Sequence, residues 1–401
     1  MVLTQTRALF LDAYRELNAK RLFWFVLALS GVLVGAFALV SINEEGLTIL
    51  TWDIPNPVLN TQNLSSESFY KFMFVNLGVK FWLTWGAAIL ALVSTASIFP
   101  DFLAGGAIEL TLSKPIGRLR LFFTKYLAGL LFVALQVVVF SLGSFLIIGL
   151  KGGAWEFGLF LAVPIVVAFF SYLFCICTLL GVVTRSTIAS LILTLLVWFV
   201  FSAVGTVQAL FEMQKVVSAR QVELNRLDIA QREKAIEAVK AGESNNGFAA
   251  ALAARLSLPD QERKLEQARA ALPAAEERAA GWRKWHTRLW AARLVLPKTA
   301  ETTALLERGL IAKDELQKML DASQGRAERA GRRGAKPPPE DLADFDPSEK
   351  MGRVQEDDPE VQNQLNERKY ERSLWWVLGT SFAFEGMVLA LAAWMFKRRD
   401  F

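Results

Sequence analysis

The sequence predicts an all-α polytopic membrane protein with six transmembrane helices and a helical extracytoplasmic insertion between the fifth and sixth spans. Six runs of predominantly apolar residues support this prediction, because about 20 such residues cross ~30 Å of hydrocarbon as a helix. The runs lack the two-residue alternation of a membrane β-barrel strand. The 401-residue chain is 53% hydrophobic and 21% charged, with its charge concentrated in residues 211–373. This separation excludes a single soluble globule, which would expose long apolar runs to water.

The six apolar runs give one predicted span each, and their even number places both termini on the same side of the membrane. Spans one to five lie within residues 22–210, and residues 374–401 hold the sixth span and a basic cytoplasmic tail. The predicted spans are 22–40, 77–99, 126–150, 159–183, 187–210 and 374–396.

The distribution of Lys and Arg in the termini and short loops predicts the orientation, since these residues are enriched on the cytoplasmic side. One side carries Arg7, Arg15, Lys20, Arg21, Lys114, Arg118, Arg120, Lys125, Arg185, Lys397, Arg398 and Arg399, and the other carries Lys71, Lys80 and Lys151. Both termini are therefore expected in the cytoplasm, with the long insertion outside.

The residues before the first span, 1–21, have apolar side chains on one helical face and polar ones on another, which predicts a cytoplasmic amphipathic helix. An alternative is a cleaved signal peptide, because Ala36-Phe37-Ala38 fits a signal-peptidase site. We favour the span, since the apolar run continues to Val40.

Residues 211–373 form the predicted insertion, which is highly charged but nearly neutral, with 29 Lys plus Arg and 28 Asp plus Glu. Apolar residues spaced among the charges predict helices over 211–241, 261–296 and 299–322. Gly, Pro and charge predict a flexible linker over 323–367. A coiled coil is the less favoured interpretation, because apolar heptads are not sustained. The balanced charge does not form a nucleic-acid-binding patch.

One ionisable residue, Glu385, falls in the middle of a predicted span. A charge at that depth is unfavourable, so its side chain should face protein or water. Either it is a neutral acid that hydrogen-bonds a Ser or Thr of a neighbouring helix, or it lines a translocation path. Gln136 and Gln208 are weaker candidates of the same kind, and we expect both to serve helix packing.

Catalytic motifs are not found in the sequence. It has no G-x-x-x-x-G-K-[ST] phosphate-binding loop and no H-E-x-x-H or G-x-S-x-G motif. Its single histidine, His286, and its two cysteines, Cys175 and Cys177, lack metal-ligand spacing. We therefore predict that the chain is not an enzyme and holds no catalytic residue, metal or cofactor of its own.

The longest cytoplasmic stretch, 100–125, contains an ordered motif between the second and third spans. It reads Gly106-Ala107-Ile108-Glu109-Leu110-Thr111-Leu112-Ser113-Lys114-Pro115-Ile116-Gly117-Arg118, followed by Lys125-Tyr126-Leu127-Ala128-Gly129. This motif resembles the G-T-[IL]-E-x-L-L-[SA]-x-P-[IV]-[SG]-R stretch of six-span ABC transporter permeases of the second membrane type (ABC-2). The closing basic residues 396–401 are similar to the tail of many members. The resemblance covers roughly residues 1–210 and 374–401. One departure is the absence of the acidic and basic pair that often precedes the glycine.

The resemblance implies a permease subunit in the plasma (inner) membrane of a prokaryote. It would pair with a second permease subunit, identical or not, and with a dimer of cytoplasmic ABC ATPase subunits that hold ATP and Mg²⁺. The implied direction is export, and the few charges in the spans favour amphipathic or lipid-like cargo. The residues implied in coupling to the ATPase are Gly106, Ile108, Glu109, Leu110, Ser113, Pro115 and Arg118.

A different class of function fits the same topology. The chain would be a membrane-anchored scaffold or receptor whose insertion, 211–373, binds an extracytoplasmic protein of the cell envelope. The spans would then contact only the lipid bilayer. A cytoplasmic ATPase partner is expected of the permease and not of the scaffold.

Overall fold

A computed structural model describes residues 15, 21–55, 60–61, 64–104, 117–153, 155–241, 247–293, 296–310 and 358–398. They fall into two compact units. The first is drawn from Met1–Ala203, Val295–Gly331 and Ser373–Phe401, and the second from Val204–Leu294 and Arg332–Arg372. The predicted amphipathic helix 1–21 lies almost wholly outside the described residues, as does the part 323–357 of the predicted linker. The prediction of a flexible linker was wrong for its last residues, because 359–367 belong to a helix, Pro359–Glu371, that Asp358 caps.

The prediction of an all-α polytopic membrane protein is confirmed. Within the described part of the chain, six helical segments are long and apolar enough to cross a membrane. The second is longer than the sequence predicted, starting eleven residues earlier, and the fifth continues far beyond its apolar part. The segments are Arg21–Leu39, Ser66–Leu103, Arg118–Gly152, Phe157–Thr184, Thr187–Ala241 and Leu374–Arg398.

The first unit is a helical bundle with an aromatic core. Helices α1 (Arg21–Leu39), α5 (Arg118–Gly152), α6 (Ala162–Thr184) and α11 (Leu374–Arg398) carry spans one, three, four and six. A 3₁₀ turn, Phe157–Leu161, leads into α6. Helix α6 packs against α5 and α11, so it has the largest share of buried residues of these four helices. Ring pairs across the bundle include Phe23 with Phe132, Phe74 with Phe140, and Tyr126 with Phe174.

The second span changes its helical form along its length. It begins as α2 (Ser66–Met73), continues as a π-helix (Phe74–Ala87) and returns to the α form in α3 (Ala88–Thr95) and α4 (Ile98–Ala104). Ser65 caps α2, because its hydroxyl accepts a hydrogen bond from the Ser68 amide at 3.1 Å. The first turns of the second span are polar, so a search for apolar runs did not find where the span begins.

A three-stranded antiparallel sheet, which the sequence analysis did not predict, follows the first span. Its strands are β1 (Val40–Ile42), β2 (Gly46–Ile49) and β3 (Trp52–Pro55), joined in a simple meander. The Tyr70 hydroxyl donates to the Val40 carbonyl at 2.8 Å and ties α2 to the sheet. Strands of three and four residues are too short to give a clear two-residue alternation.

Helix α9 (Thr299–Leu310) packs among the spans of the first unit, although the sequence assigned it to the extracytoplasmic insertion. It contacts α6, α11 and the π-helical stretch. Its buried side chains include Thr302, Leu306 and Leu310. The 12-residue helix is polar enough to look soluble, but its apolar face and threonines have partners on the spans.

Close packing between α5 and α6 requires a glycine at position 129. A Cβ there would lie 2.6 Å from Cε1 of Phe174, whose ring stacks on Tyr126 with centroids 5.1 Å apart. We expect Gly129→Ala to lower the free energy of unfolding by about 1–3 kcal/mol, because the added methyl overpacks the contact. The measurement is unfolding of the purified protein in detergent micelles.

The matched control is Gly31→Ala in α1, where an added Cβ meets no atom within 4 Å. This variant should be no less stable than the wild type, because alanine is the better helix former. Equal losses in the two variants would contradict the packing explanation.

The second unit contains an antiparallel helical hairpin. It is formed by the second part of α7 (Thr187–Ala241) and by α8 (Gly247–Arg293), which remains helical through Pro259 and Pro273. Three interhelical ion pairs, each 2.6 Å, link Arg226 to Glu276, Glu233 to Arg269, and Lys240 to Glu262. From one ion pair to the next, the paired residues are seven positions apart on each helix. This is the heptad period of a coiled coil.

The seam of this hairpin follows a three-four repeat that the sequence analysis judged too weak, so the preference against a coiled coil was wrong. Side chains at the repeat positions are buried or half-buried along both helices. On α7 they are Gln208, Phe211, Lys215, Ser218, Val222, Asn225, Ile229, Arg232, Ile236 and Val239, and on α8 they are Gln261, Leu265, Ala268, Leu272, Ala275, Ala279, Trp282, His286, Leu289 and Arg293. Many of these are polar or alanine, which conceals the repeat from an apolar count.

Candidate functional site

The candidate site is a buried polar cluster around Glu385 on α11. Its Oε1 lies 2.8 Å from the Tyr126 hydroxyl of α5, and its Oε2 lies 2.8 Å from the Ser171 hydroxyl of α6. Glu385 is 8% exposed and both partners are buried. The cluster therefore joins the third, fourth and sixth spans through one carboxyl group.

The number of hydrogens available for hydrogen bonds at this cluster favours a protonated Glu385. The Tyr126 hydroxyl also lies 3.1 Å from the Ser171 carbonyl, and the Ser171 hydroxyl lies 2.9 Å from the Ala168 carbonyl. These four contacts have only two hydroxyl hydrogens between them, and carbonyl oxygens can only accept. A protonated carboxyl supplies a third hydrogen and avoids an unpaired charge among apolar helices.

A second polar group lies one to two turns earlier on α11, where α9 begins. The Lys298 amide donates to the Ser381 hydroxyl at 2.9 Å, and the Lys298 ammonium donates to the Thr380 hydroxyl at 2.5 Å. The ammonium also lies 4.3 Å from the ring centroid of Trp376. Lys298 has no exposed surface. Its charge is thus stabilised by a hydroxyl and an aromatic face.

The polar side chains of α11 share one helical face. Trp376, Thr380, Ser381 and Glu385 are spaced by four, one and four residues, which places them along one side of the helix. This face, which we call the polar face of α11, runs from the start of α9 to the middle of the sixth span. Its Ser381 and Glu385 are buried, and the buried Lys298 meets it at Thr380 and Ser381.

Three further ion pairs fix elements at the same end of the bundle. Lys80 of the π-helical stretch bonds Glu307 of α9 at 2.6 Å. Lys71 bonds Glu67 at 2.6 Å and Glu156 at 2.8 Å. The hydrogen bond from Lys71 lowers the pKa of Glu156, so this carboxylate stays ionised at neutral pH. Two of the three lysines that the sequence placed on this side, Lys71 and Lys80, thus have carboxylate partners.

The residues implied in coupling are only partly described. Gly106, Ile108, Glu109, Leu110, Ser113 and Pro115 lie outside the described residues. Arg118 is the first residue of α5, and its guanidinium donates to the Lys397 carbonyl at 3.2 Å. The end of the motif therefore contacts the last turn of α11.

The glutamines and cysteines that the sequence analysis singled out are buried among packed helices. Gln136 is buried beside a cavity of about 10 Å³, room for about one water. Gln208 accepts a hydrogen bond from Arg293 in the second unit. Cys175 and Cys177 are buried and form no disulfide. Across the described ranges, no three His, Cys, Asp or Glu residues are grouped as a metal site.

Sequence reasoning found Glu385 and offered a Ser or Thr of a neighbouring helix as its partner, which Ser171 is, but it did not identify Tyr126. Tyr126 was part of the motif, but its distance from Glu385 along the chain, 259 residues, gave no signal of contact. Lys298 was missed because it lies in a charged region, where one more lysine is unremarkable. The Pro297-Lys298-Thr299 step into a threonine-rich helix is the signal that could have found it.

No protein-family model matches the sequence, and neither a curated protein nor a solved structure matches it.

Proposed function

We propose that the chain is the transmembrane permease subunit of an ATP-binding-cassette exporter, driven by a separate cytoplasmic ATPase. The observation that best supports the proposal is the contact between Arg118 and the Lys397 carbonyl. The motif that resembles the ABC-2 coupling segment ends at Arg118, and this contact joins it to the helix that carries Glu385. A movement of the motif would therefore be transmitted directly to the sixth span.

The proposed mechanism is alternation between two states of the bundle. ATP-driven closure of the ATPase dimer would move the motif, Arg118 would transmit that movement to α11, and the polar face of α11 would rearrange against α5 and α6. The protonated Glu385 can be separated from Tyr126 and Ser171 without creating a buried charge. The low charge of the spans favours an amphipathic or lipid-like cargo, and the orientation by Lys and Arg puts the termini in the cytoplasm.

The test is co-purification of the tagged full-length chain from its native cells in mild detergent, followed by mass spectrometry. We expect an ATPase with a phosphate-binding loop to accompany the wild-type protein. Glu109→Arg should reduce its recovery about tenfold, which corresponds to about 1.4 kcal/mol of binding free energy. The reason is that the charge reversal replaces the acidic residue of the motif with a basic one.

Glu45→Arg is the matched control. Glu45 is exposed in the turn before β2, and its amide bonds Asn43, which the substitution leaves intact. This variant should retain the ATPase. Recovery of no such ATPase with the wild-type chain would refute the permease proposal.

The second candidate function is a membrane-anchored scaffold or receptor. The coiled-coil hairpin of the second unit favours it, because long paired helices are a common form of protein-binding element. Envelope proteins recovered without an ATPase, and lost after deletion of residues 212–366, would favour this function over the permease.

A further inference from the structure

A cluster of positive charges lies near the open end of the hairpin, in the second unit. Lys215 and His286 are opposite each other in the seam of α7 and α8, and α10 (Pro359–Glu371) adds Arg368 beside them. Arg283 also lies close to Lys215. We call Lys215, Arg283, His286 and Arg368 the cationic cluster.

The positive charge of this cluster is not balanced by the described residues. Glu212, the carboxylate close to Lys215 and His286, forms its ion pair with Arg372 at 2.5 Å. Glu223 and Glu276, which line one cavity with Arg283, form ion pairs with Arg220 and Arg226. No salt bridge in the described part of the chain involves Lys215, Arg283 or Arg368. Lys215 and Arg368 are half-buried and Arg283 is exposed. Three cations brought this close repel one another, so an anion would stabilise the arrangement.

Chain continuity places the cluster at the level of lipid headgroups. Lys215 comes five residues after the predicted fifth span ends at Leu210, which is about 8 Å along a helix. Arg368 comes six residues before Leu374, the start of α11. The headgroup layer extends about 5–8 Å beyond the hydrocarbon on each side. Counted along the chain, Lys215 and Arg368 therefore both lie within headgroup distance of the end of a span.

Exposed tryptophans lie beside the cluster in the sequence of α8. Trp285 is 53% exposed and Trp290 is 41% exposed. The Arg288 guanidinium lies 5.3 Å from the ring centroid of Trp285. Tryptophan is enriched where membranes meet water, because its amphipathic ring suits the headgroup region.

We propose that the cationic cluster binds the phosphate of an anionic phospholipid headgroup, in the leaflet on the side of the insertion. Lys215 and the two arginines would contact the phosphate, and Arg283 and Arg368 can do so with two nitrogens each. His286 would lie beside the bound anion. The site is independent of the proposed transport activity, because it needs neither ATP nor cargo.

His286 reports on the site because it is the only histidine of the chain. Burial and the charge of Lys215 lower its pKa, with Arg368 and Arg372 adding to the effect and Glu212 opposing it. A bound phosphate would raise it again. The full-length protein, purified with a histidine-free tag and labelled at histidine, gives one imidazole signal by NMR in lipid nanodiscs.

The test compares nanodiscs of phosphatidylcholine with nanodiscs containing phosphatidylglycerol. We expect the anionic lipid to raise the pKa of His286 by about 1 in the wild type. Lys215→Gln and Arg368→Gln should each remove at least half of that rise. Lys234→Gln, an exposed lysine of α7 outside the seam, is the matched control and should keep it.

Three results would overturn the proposal. A rise of about 0.5 that is the same in every variant would reflect only the surface potential of the anionic membrane. No rise in the wild type would show that the lipid does not bind near His286. A rise produced by inorganic phosphate in phosphatidylcholine nanodiscs, without a further effect of phosphatidylglycerol, would identify a free anion as the ligand.

Discussion

Replacing Glu385 by alanine should destabilise the first unit by about 2–4 kcal/mol. The substitution leaves a cavity and removes one of the two partners of each of the Tyr126 and Ser171 hydroxyls, which are 2.8 Å from the carboxyl oxygens. Because those hydroxyls are buried, water cannot readily replace the lost contacts. The measurement is the free energy of unfolding in detergent micelles, compared with the wild type.

The isosteric variant Glu385→Gln separates hydrogen bonding from charge. An amide can accept from one hydroxyl and donate to the other, as the protonated acid does, so the loss should stay below about 1 kcal/mol. Transport should persist in this variant. Complete loss of transport with normal assembly would contradict a purely structural role and assign the carboxyl proton to the translocation path.

Replacing Lys298 by alanine should also be costly, at about 2–4 kcal/mol. The change removes a fully buried four-carbon stem, the hydrogen bond to Thr380 and the contact with the Trp376 ring. Helix α9 would lose its side-chain attachment to α11 at the start of the helix and keep the bond from the amide of residue 298 to Ser381. Unfolding in micelles measures the loss of stability, and proteolysis within 299–310 measures the release of α9.

Lys298→Met keeps the stem and removes only the charge. The Thr380 hydroxyl still has the Trp376 carbonyl, 2.6 Å away, as its partner. This variant should therefore remain within about 1 kcal/mol of the wild type, since burying an ammonium is itself unfavourable. A loss as large as that of Lys298→Ala would mean that the charge, and not the packing of the stem, holds α9 in place.

The spans were predictable because each apolar run is long and continuous. The start of the second span was not, since Ser66, Lys71 and Asn76 reduce its local hydropathy. Lys71 is buried there because Glu156 pairs with it from 85 positions further along the chain. A hydropathy average over neighbouring residues cannot detect a partner so distant in sequence. The polar turns were therefore interpreted as a loop.

The two elements assigned less well share the same physical cause. Helix α9 is amphipathic and polar, and its place among the spans depends on Lys298 and Glu307 finding Thr380 and Lys80. The coiled-coil seam contains residues such as Lys215, which an apolar count treats as surface. Tertiary contacts decided both cases, and only Glu385, isolated in an apolar run, stood out in sequence.

The heptad-spaced ion pairs of the hairpin also limit how this protein can change in length over evolution. The partners Arg226 and Glu276, Glu233 and Arg269, and Lys240 and Glu262 step by seven in opposite directions. Insertion of seven residues in α7 preserves the seam only if seven are inserted in α8, which lengthens the hairpin by about 10 Å. Homologous hairpins should therefore differ in paired steps of this size, and an insertion in one arm alone would be selected against.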